Sequence, residues 1–219
     1  MYIEGDIHEV IKTLEENSID LIYTNPPFGI TRQEWDKPLD WDYLWDEIWR
    51  VVKPDGIVVL HASMPFSYHL IRTQLPKYHY TIIKSNSTNY LNAKKQPLRN
   101  TEELFVFYKK PGCYNPQMDY SRKPEVRQAG SDTKYYGKRK LLGKVKYDAY
   151  HPQTAIEMKI KVRGGKTVSD DLIDRIVKTY SNEGDTVLDM TTHNTVVGDR
   201  VEMLKRNFIG VDRCLHKGT

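Results

Sequence analysis

The chain has 219 residues, of which 39% are hydrophobic and 28% are charged, and its formal net charge is +4 at pH 7. That length is enough for one large domain with a full hydrophobic core. No apolar run is long enough to cross a bilayer and the first six residues do not resemble an export signal, so we expect a soluble protein that is not exported. The two cysteines, Cys113 and Cys214, form neither a disulfide framework nor a metal-ligand pattern, which indicates a reducing, cytoplasmic setting and no metal.

The first 23 residues predict a β-α-β unit. Residues 1–3 form a candidate strand, and residues 19–23 are β-branched and aliphatic, as expected of a buried strand. Between them, apolar residues recur at helical spacing: Ile7, Val10, Ile11 and Leu14. Asp6 precedes this helix and is predicted to be its N-cap, at a strand end where it could also face a ligand.

The tetrapeptide Asn25-Pro26-Pro27-Phe28 follows the second strand, and its prolines end the strand because they cannot donate to a sheet ladder. In open α/β sheets, ligands bind at the carboxyl ends of strands. The side-chain oxygen of Asn25 and the carbonyl of Pro26 could accept the two hydrogens of a base amino group and make its nitrogen more nucleophilic, while Phe28 stacks on the flipped base. A proline turn that only closes the strand is equally compatible with these four residues.

The next segments continue the alternation of helices and strands. A tryptophan-rich helix is predicted over residues 41–52, followed by a turn at 53–56 and a buried strand at 57–61. A helix at 67–75, ended by Pro76, leads to strands at 80–84 and 104–108. Because no helix separates these last two strands, we expect a mostly parallel sheet with an antiparallel edge strand.

The middle of the chain, residues 110–150, has no lasting periodicity and predicts no core. It contains ten basic and four acidic residues, a net charge of +6 that leaves −2 for the rest of the chain. Tyrosines are interleaved with these charges, which is typical of a surface that contacts bases and phosphates but equally of a small loop cluster.

A second β-α-β unit is predicted after a helix at residues 172–180, with Gly184 as the C-cap of that helix. The strands are residues 186–189 and 207–212, and a turn at 191–195 and a helix at 197–204 connect them. Each strand ends in an acidic residue, Asp189 and Asp212, and an acidic residue at such a place hydrogen-bonds ribose hydroxyls in nucleotide-binding sheets.

These segments together resemble the β-class amino-methyltransferases of DNA, which use S-adenosylmethionine. Asn25-Pro26-Pro27-Phe28 resembles the catalytic tetrapeptide of that family, and His151-Pro152 resembles the box that follows its recognition segment. The other similar segments are residues 5–6, 18–22, 35–36, 50–56, 102–106, 183–189 and 206–212. The catalytic segment precedes the cofactor segment, whereas protein-glutamine and ribosomal-RNA methyltransferases with a similar tetrapeptide usually have the reverse order, so the resemblance points to DNA.

The resemblance implies a fold and a division of the chain. The fold is a Rossmann-like, doubly wound α/β methyltransferase domain in permuted order, with a small inserted module. Residues 1–109 would be the catalytic half, residues 110–150 a basic target-recognition module, and residues 151–219 the cofactor-binding half.

Residue roles follow from the same resemblance, in part together with the strand-end rule. The catalytic residues would be Asn25, Pro26, Pro27 and Phe28, and no metal is implied. The S-adenosylmethionine site would include Asp6, Ile7, Asn25, His151, Thr154, Asp189, Thr191, Thr192, His193, Asn194, Thr195 and Asp212. DNA phosphates would be held by Lys94, Lys95, Arg99, Arg122, Lys123, Lys138, Arg139 and Lys140, which predicts strongly salt-dependent binding.

The chain departs from the family pattern in two places, the cofactor loop and the segment after Asp212. The family's cofactor loop is rich in glycine, whereas His193 and Thr195 stand at its glycine positions here. Since Asn194 tolerates left-handed geometry and threonines can cap a helix, we expect a variant loop that still binds the cofactor. Only seven residues follow Asp212, so a homodimer or another partner subunit could cover the exposed flank.

The function that these features favour is site-specific methylation of adenine N6 in double-stranded DNA, with a restriction endonuclease as a further candidate partner. A nucleoid-associated or phage-encoded intracellular protein is compatible with this function. Three alternatives remain open: methylation of cytosine N4 in DNA, methylation of adenine in RNA, and a degenerate methyltransferase that binds DNA without catalysis.

Overall fold

The computed structural model describes residues 1–85, 93–95, 97–98, 100–129, 143–157 and 168–213. Its contacts divide the chain into two compact units. The first comprises Met1–Asn115 and Thr154–Thr219, and the second comprises Pro116–Gln153. No helix in the described ranges is both long and apolar enough to cross a membrane.

The described residues of the first unit form eight strands and five α-helices. The strands are β1 (Tyr2–Glu4), β2 (Ile19–Thr24), β3 (Val52–Ala62), β4 (Tyr78–Ser85), β5 (Thr101–Tyr108), β8 (Ala155–Glu157), β9 (Thr186–Asp189) and β10 (Asn207–Asp212). The helices are α1 (Ile7–Thr13), α2 (Trp41–Val51), α3 (Phe66–Gln74), α4 (Asp170–Tyr180) and α5 (Val196–Met203), and a 3-10 turn at Leu75–Lys77 follows α3. The second unit contains a hairpin of β6 (Glu125–Ala129) and β7 (Gly143–Tyr147).

The eight strands form one sheet in the order β1-β10-β9-β2-β3-β5-β4-β8. All neighbouring strands are parallel except β5, which is antiparallel to both β3 and β4. The predicted fold class, a mostly parallel doubly wound α/β sheet, is confirmed, but the antiparallel strand was predicted at the edge of the sheet and lies inside it. In detail, the antiparallel strand lies between β3 and β4, because β4 and the short β8 extend the sheet beyond it.

Helices cover both faces of this sheet, and each face has its own buried cluster. On one face, α1, α2 and α3 pack against the sheet through residues such as Ile11, Trp45 and Leu70. On the other face, α4 and α5 pack through residues such as Ile173 and Val201. The apolar spacing that predicted α2 and α4 corresponds to their buried faces, since a helix of 3.6 residues per turn places those positions on one side.

Three local predictions differ from the structure. The predicted turn at residues 53–56 lies within β3, where the pairing with β2 shifts from Val52 to Ile57 and the intervening residues bulge out of register. Gly184 does not cap α4, whose C-cap is Ser181; it adopts a positive φ of 88° in the turn before β9. The β6–β7 hairpin had no predicted counterpart, because its strands have five residues each and none of their described side chains is buried.

Candidate functional site

Three of the predicted acidic residues lie at the carboxyl ends of three neighbouring strands. Since β1, β10 and β9 are parallel neighbours, their carboxyl ends lie side by side: Glu4 pairs with Asp212, and Gly210 pairs with Asp189. The backbone N–H of Gly5 donates to the carbonyl of Asp212 at 2.8 Å. Asp6, Asp189 and Asp212 therefore follow or end adjacent strands, as the strand-end rule predicts.

The carboxylate of Asp6 is the N-cap of α1, as predicted. Its Oδ1 accepts from the backbone N–H of His8 at 2.9 Å and faces His8 Nδ1 at 2.7 Å, while its Oδ2 lies 2.7 Å from Arg213. Burial raises the pKa of Asp6, but the hydrogen bonds with His8 and the charge of Arg213 outweigh it and lower the pKa. The neighbouring Ile7 is 3% exposed and its side chain packs in the core.

Asp189 is a buried carboxyl group with a perturbed pKa. Burial raises its pKa to about 7, and the negative charge of Asp212 adds to this effect. The hydrogen bond from the Thr191 N–H, at 3.2 Å, and the polar side chains of Thr24 and Thr192 lower the pKa in part. Ionisable groups perturbed in this way concentrate at functional sites.

Two hydrogen bonds join Thr24 and the candidate catalytic tetrapeptide that follows it to the candidate cofactor loop 190–195. The N–H of Met190 donates to Thr24 Oγ1 at 2.8 Å, and the hydroxyl of Thr191 donates to the backbone carbonyl of Asn25 at 3.3 Å. These segments are separated by 166 residues in the chain. Parallel pairing of β2 with β9 brings them together, because their carboxyl ends lie next to each other. Thr24 was not among the predicted site residues, although its place between the strand and the tetrapeptide could have pointed to it.

The side chains of the tetrapeptide differ in their surroundings. Pro26 is buried, whereas Asn25 is half-buried and its side-chain amide makes no hydrogen bond to another described residue. The ring of Phe28 is also half-buried and stacks on Phe66, with ring centroids 5.4 Å apart and planes at 23°. The amide of Asn25 is thus available to a ligand, whereas its backbone carbonyl is already bound by Thr191.

No residue of the glycine-poor loop 190–195 has a backbone conformation with positive φ. Within the described residues, positive φ occurs at Gly29, Gly143, Gly184, Asn17 and Lys205, and none of these lies in the loop. The loop is held instead by side chains. Thr192 Oγ1 donates to the carbonyl of Asn194 at 3.0 Å, and the Oδ1 of Asn194 accepts from the N–H of Val196 at 3.0 Å at the start of α5.

One glycine of this region has a packing role. A Cβ atom on Gly198 would lie 2.1 Å from the hydroxyl of Tyr2 and 2.7 Å from the ring of Phe208. Glycine therefore lets α5 lie close against β1 and β10, which is the close helix–strand packing that the last glycine of dinucleotide-binding loops provides.

Not all of the remaining predicted cofactor residues lie near Asp189 and Asp212. Thr195, at the N-terminus of α5, and His193 are exposed in the loop. Thr154 accepts a hydrogen bond from Ile83 at the far edge of the sheet, where β8 pairs with β4, and is not adjacent to Asp189. His151 belongs to the second unit and is exposed there. The cofactor roles of His151 and Thr154 stay predictions.

The predicted DNA-contacting residues fall into three groups. Lys94 and Lys95 are exposed in a turn of the first unit. In the second unit Lys123 is exposed, while Arg122 pairs with Asp119 at 3.0 Å and stacks over Tyr150 at 5.3 Å. Four others lie outside the described residues: Arg99, Lys138, Arg139 and Lys140. Among the residues that are described, no three His, Cys, Asp or Glu side chains are grouped so that they could hold a metal ion.

The matching family model and three sequence relatives are all named as DNA methylases or methyltransferases. The family model described as DNA methylase, of the N6/N4 type, matches residues 19–216. The type II methyltransferases M.HpaI of Haemophilus parainfluenzae and M.BamHI of Bacillus amyloliquefaciens are 25% and 29% identical, over 93% and 95% of this chain. The DNA adenine methyltransferase YhdJ of Escherichia coli K12 is 26% identical over 96% of the chain. The chain spans 67%, 53% and 77% of the lengths of these three relatives.

Solved structures share the fold. The PvuII DNA methyltransferase, which is cytosine-N4-specific, has a TM-score of 0.68 at 15% identity, covering 97% of this chain and 81% of that one. The complex of M1.HpyAVI with SAM has a TM-score of 0.59 at 19% identity, covering 97% of this chain and 92% of that one.

Proposed function

Because the chain belongs to the DNA methylase family that modifies N6 or N4 amino groups, we propose that it transfers a methyl group from S-adenosylmethionine to N6 of adenine in double-stranded DNA. The observation that carries this proposal is the pair of hydrogen bonds that joins Thr24 and Asn25 to Met190 and Thr191. Through them, the residues proposed for catalysis and those proposed for cofactor binding form one site.

The residues at the carboxyl ends of β9 and β10 fit S-adenosylmethionine, the methyl donor of the family. Asp212 ends β10, where a carboxylate can accept hydrogen bonds from ribose hydroxyls. The buried carboxyl of Asp189 and the threonine hydroxyls of the loop supply further polar groups, and the N-terminus of α5 adjoins them. When bound, the cofactor would supply an electrophilic methyl group on a sulfonium and would leave as S-adenosylhomocysteine. The protein therefore needs to position the acceptor nitrogen, which releases one of its protons to solvent after methylation.

Asn25 is the residue that we propose to act on the acceptor. Its side-chain oxygen and the carbonyl of Pro26 would accept the two hydrogens of the amino group, which increases the electron density at nitrogen and stabilises the charge that develops on it. The base must leave the duplex, because the amino group is otherwise shielded from in-line approach. Phe28, fixed against Phe66, would provide an aromatic surface for the flipped base.

We propose adenine rather than cytosine as the target base because one of the sequence relatives is an adenine methyltransferase. YhdJ, an adenine methyltransferase, matches 96% of the chain at 26% identity, whereas the cytosine-N4-specific PvuII structure is 15% identical. The chemistry of the two amino groups is alike, so cytosine N4 is the second candidate.

We further propose that residues 110–150 form the target-recognition module between the catalytic half, residues 1–109, and the cofactor half, residues 151–219. Its β6–β7 hairpin exposes Lys144 and Lys146.

The direct test is incubation of the protein with tritiated S-adenosylmethionine and unmethylated genomic DNA, followed by nucleoside analysis and mapping of the methylated positions by sequencing. The proposal predicts label in N6-methyladenine at a defined sequence. Label in N4-methylcytosine would support the second candidate. Label only in a parallel RNA sample would support an RNA substrate, and DNA binding without any transfer would support a non-catalytic protein.

A further inference from the structure

The chain directly after the catalytic tetrapeptide is held by a single buried carboxylate. Asp36 Oδ1 accepts from the N–H of Gly29 at 2.8 Å, and its Oδ2 accepts from the N–H groups of Ile30 at 3.0 Å and Thr31 at 2.6 Å. Asp36 is 6% exposed. Three consecutive backbone donors thus converge on one side chain, an arrangement that fixes the path of the segment from Gly29 to Thr31.

The negative charge of Asp36 is well matched to this position. Burial raises its pKa, but the hydrogen bonds from Thr31, Gly29 and Ile30 outweigh that effect and lower the pKa, so the group is ionised at neutral pH. An amide of the same shape has one acceptor oxygen in place of two. An asparagine here would place its NH2 group opposite at least one of these N–H groups, so that at least one hydrogen bond of the buried side chain is lost, and such a loss is costly.

A second contact fixes the same segment from the other side. Gly29 has a positive φ of 68°, and a Cβ on it would lie 2.4 Å from Cγ of Pro38. Phe28, which precedes it, is stacked on the buried Phe66. The tetrapeptide is therefore anchored at both ends, by the bonds of Thr24 and Asn25 to the cofactor loop and by the Asp36 contacts to Gly29–Thr31.

We propose that Asp36 is a positioning residue for methyl transfer. It does not touch the reacting atoms. It fixes the backbone of Gly29–Thr31 and thereby the placement of Phe28 and of the Pro26 carbonyl, on which the acceptor amino group depends. This inference rests on the proposed function, because the reaction that Asp36 supports is the transfer carried out at Asn25.

The test compares three full-length proteins: the wild type, Asp36→Asn, and the matched control Asp46→Asn, which changes an exposed aspartate on α2. Transfer of tritiated methyl groups to unmethylated genomic DNA is measured with varied cofactor. Because small displacements of reacting groups are costly, kcat of Asp36→Asn should fall about 10- to 100-fold. KM for S-adenosylmethionine should stay unchanged, and so should all constants of the control.

Amide hydrogen exchange supplies an independent readout. The N–H groups of Gly29, Ile30 and Thr31 should exchange faster in Asp36→Asn than in the wild type, with or without DNA. Asp36→Glu, which retains the carboxylate, should recover part of the lost kcat.

Two results would overturn the role of Asp36: faster exchange at these amides with an unchanged kcat, or a loss of activity entirely in KM for the cofactor. If Asp36→Asn does not fold, Gly29→Ala disturbs the same segment from the Pro38 side, and an unchanged kcat in that variant overturns the role as well. A wild type without transfer activity would instead refute the proposed function itself.

Discussion

The hydroxyl of Thr191 donates to the backbone carbonyl of Asn25 at 3.3 Å. Thr191 belongs to the loop that follows β9, and Asn25 begins the tetrapeptide that follows β2. The bond orders the backbone at the proposed catalytic residue relative to the proposed cofactor loop. It is a feature of this chain's glycine-poor loop, in which the hydroxyls of Thr191 and Thr192 both donate to backbone carbonyls.

Removing the Thr191 hydroxyl should slow methyl transfer. Thr191→Val retains the shape of the side chain but loses the donor to Asn25, and we expect kcat to fall by about 2- to 13-fold, as for the loss of roughly 0.5–1.5 kcal/mol. Thr191→Ser retains the hydroxyl and is the matched control. Steady-state kinetics check this, and a Thr191→Val enzyme as fast as Thr191→Ser would show that the bond does not affect the reaction.

Asp189 should make stability depend on pH. The folded state holds a carboxyl group whose pKa is raised to about 7, above the value of 3.8 in an unfolded chain, so the folded state binds the proton more tightly. Its ionisation therefore destabilises the fold as pH rises from about 4 to 7, by on the order of 4 kcal/mol at pH 8.

Asp189→Asn removes this titration. Without cofactor, its Tm should exceed that of the wild type at pH 8, and the difference should shrink as pH falls to 5. Thermal unfolding followed by circular dichroism measures this, with Asp46→Asn as the exposed control. A difference in Tm that is constant between pH 5 and pH 8 would contradict the buried-carboxyl account.

Gly198→Ala should weaken the packing of α5 on the sheet. The new methyl group would collide with Tyr2 and Phe208, and overpacking of this kind costs about 1–3 kcal/mol even though alanine favours helices. Glu202→Ala, at an exposed position of the same helix, is the control. Urea denaturation measures both, and a Gly198→Ala protein at least as stable as the wild type would show that the close approach is not required.

DNA binding should weaken steeply as salt increases. Lys94 and Lys95 are exposed and are proposed to contact phosphates, so Lys94→Ala and Lys95→Ala should each reduce the slope of log K against log salt by about 1. Lys12→Ala, on α1, is the control because that lysine pairs with Glu9 at 3.0 Å. Fluorescence anisotropy with labelled duplex DNA measures the slopes, and unchanged slopes would remove these lysines from the interface.

The sequence was most informative where one physical constraint repeats along an element. The apolar periodicity of α2 and α4 and the β-branched runs of β2 and β9 predicted those elements, because burial of one face or of a whole strand requires such a pattern. The Asp6 cap was also predictable, since capping is local to a few residues.

Features that depend on contacts between distant segments were not predictable. The partners of Thr24 and Thr191 lie 166 residues away, and only the parallel pairing of β2 with β9 brings them together. Asp36 lies in a polar loop and has the sequence character of an exposed residue, although the structure buries it. The position of β5 inside the sheet likewise depends on its antiparallel pairing with both β3 and β4.

The central claim, that the side chain of Asn25 acts on the acceptor amino group while mainly other residues of the same site hold the cofactor, is tested most directly by Asn25→Ala. Transfer from tritiated S-adenosylmethionine to DNA and calorimetric binding of the cofactor are measured on the same preparations of wild type and variant. We predict that transfer falls by at least about 100-fold, because both the amide acceptor and its placement are lost, while cofactor binding is largely retained. An Asn25→Ala enzyme that methylates DNA at the wild-type rate would contradict the account.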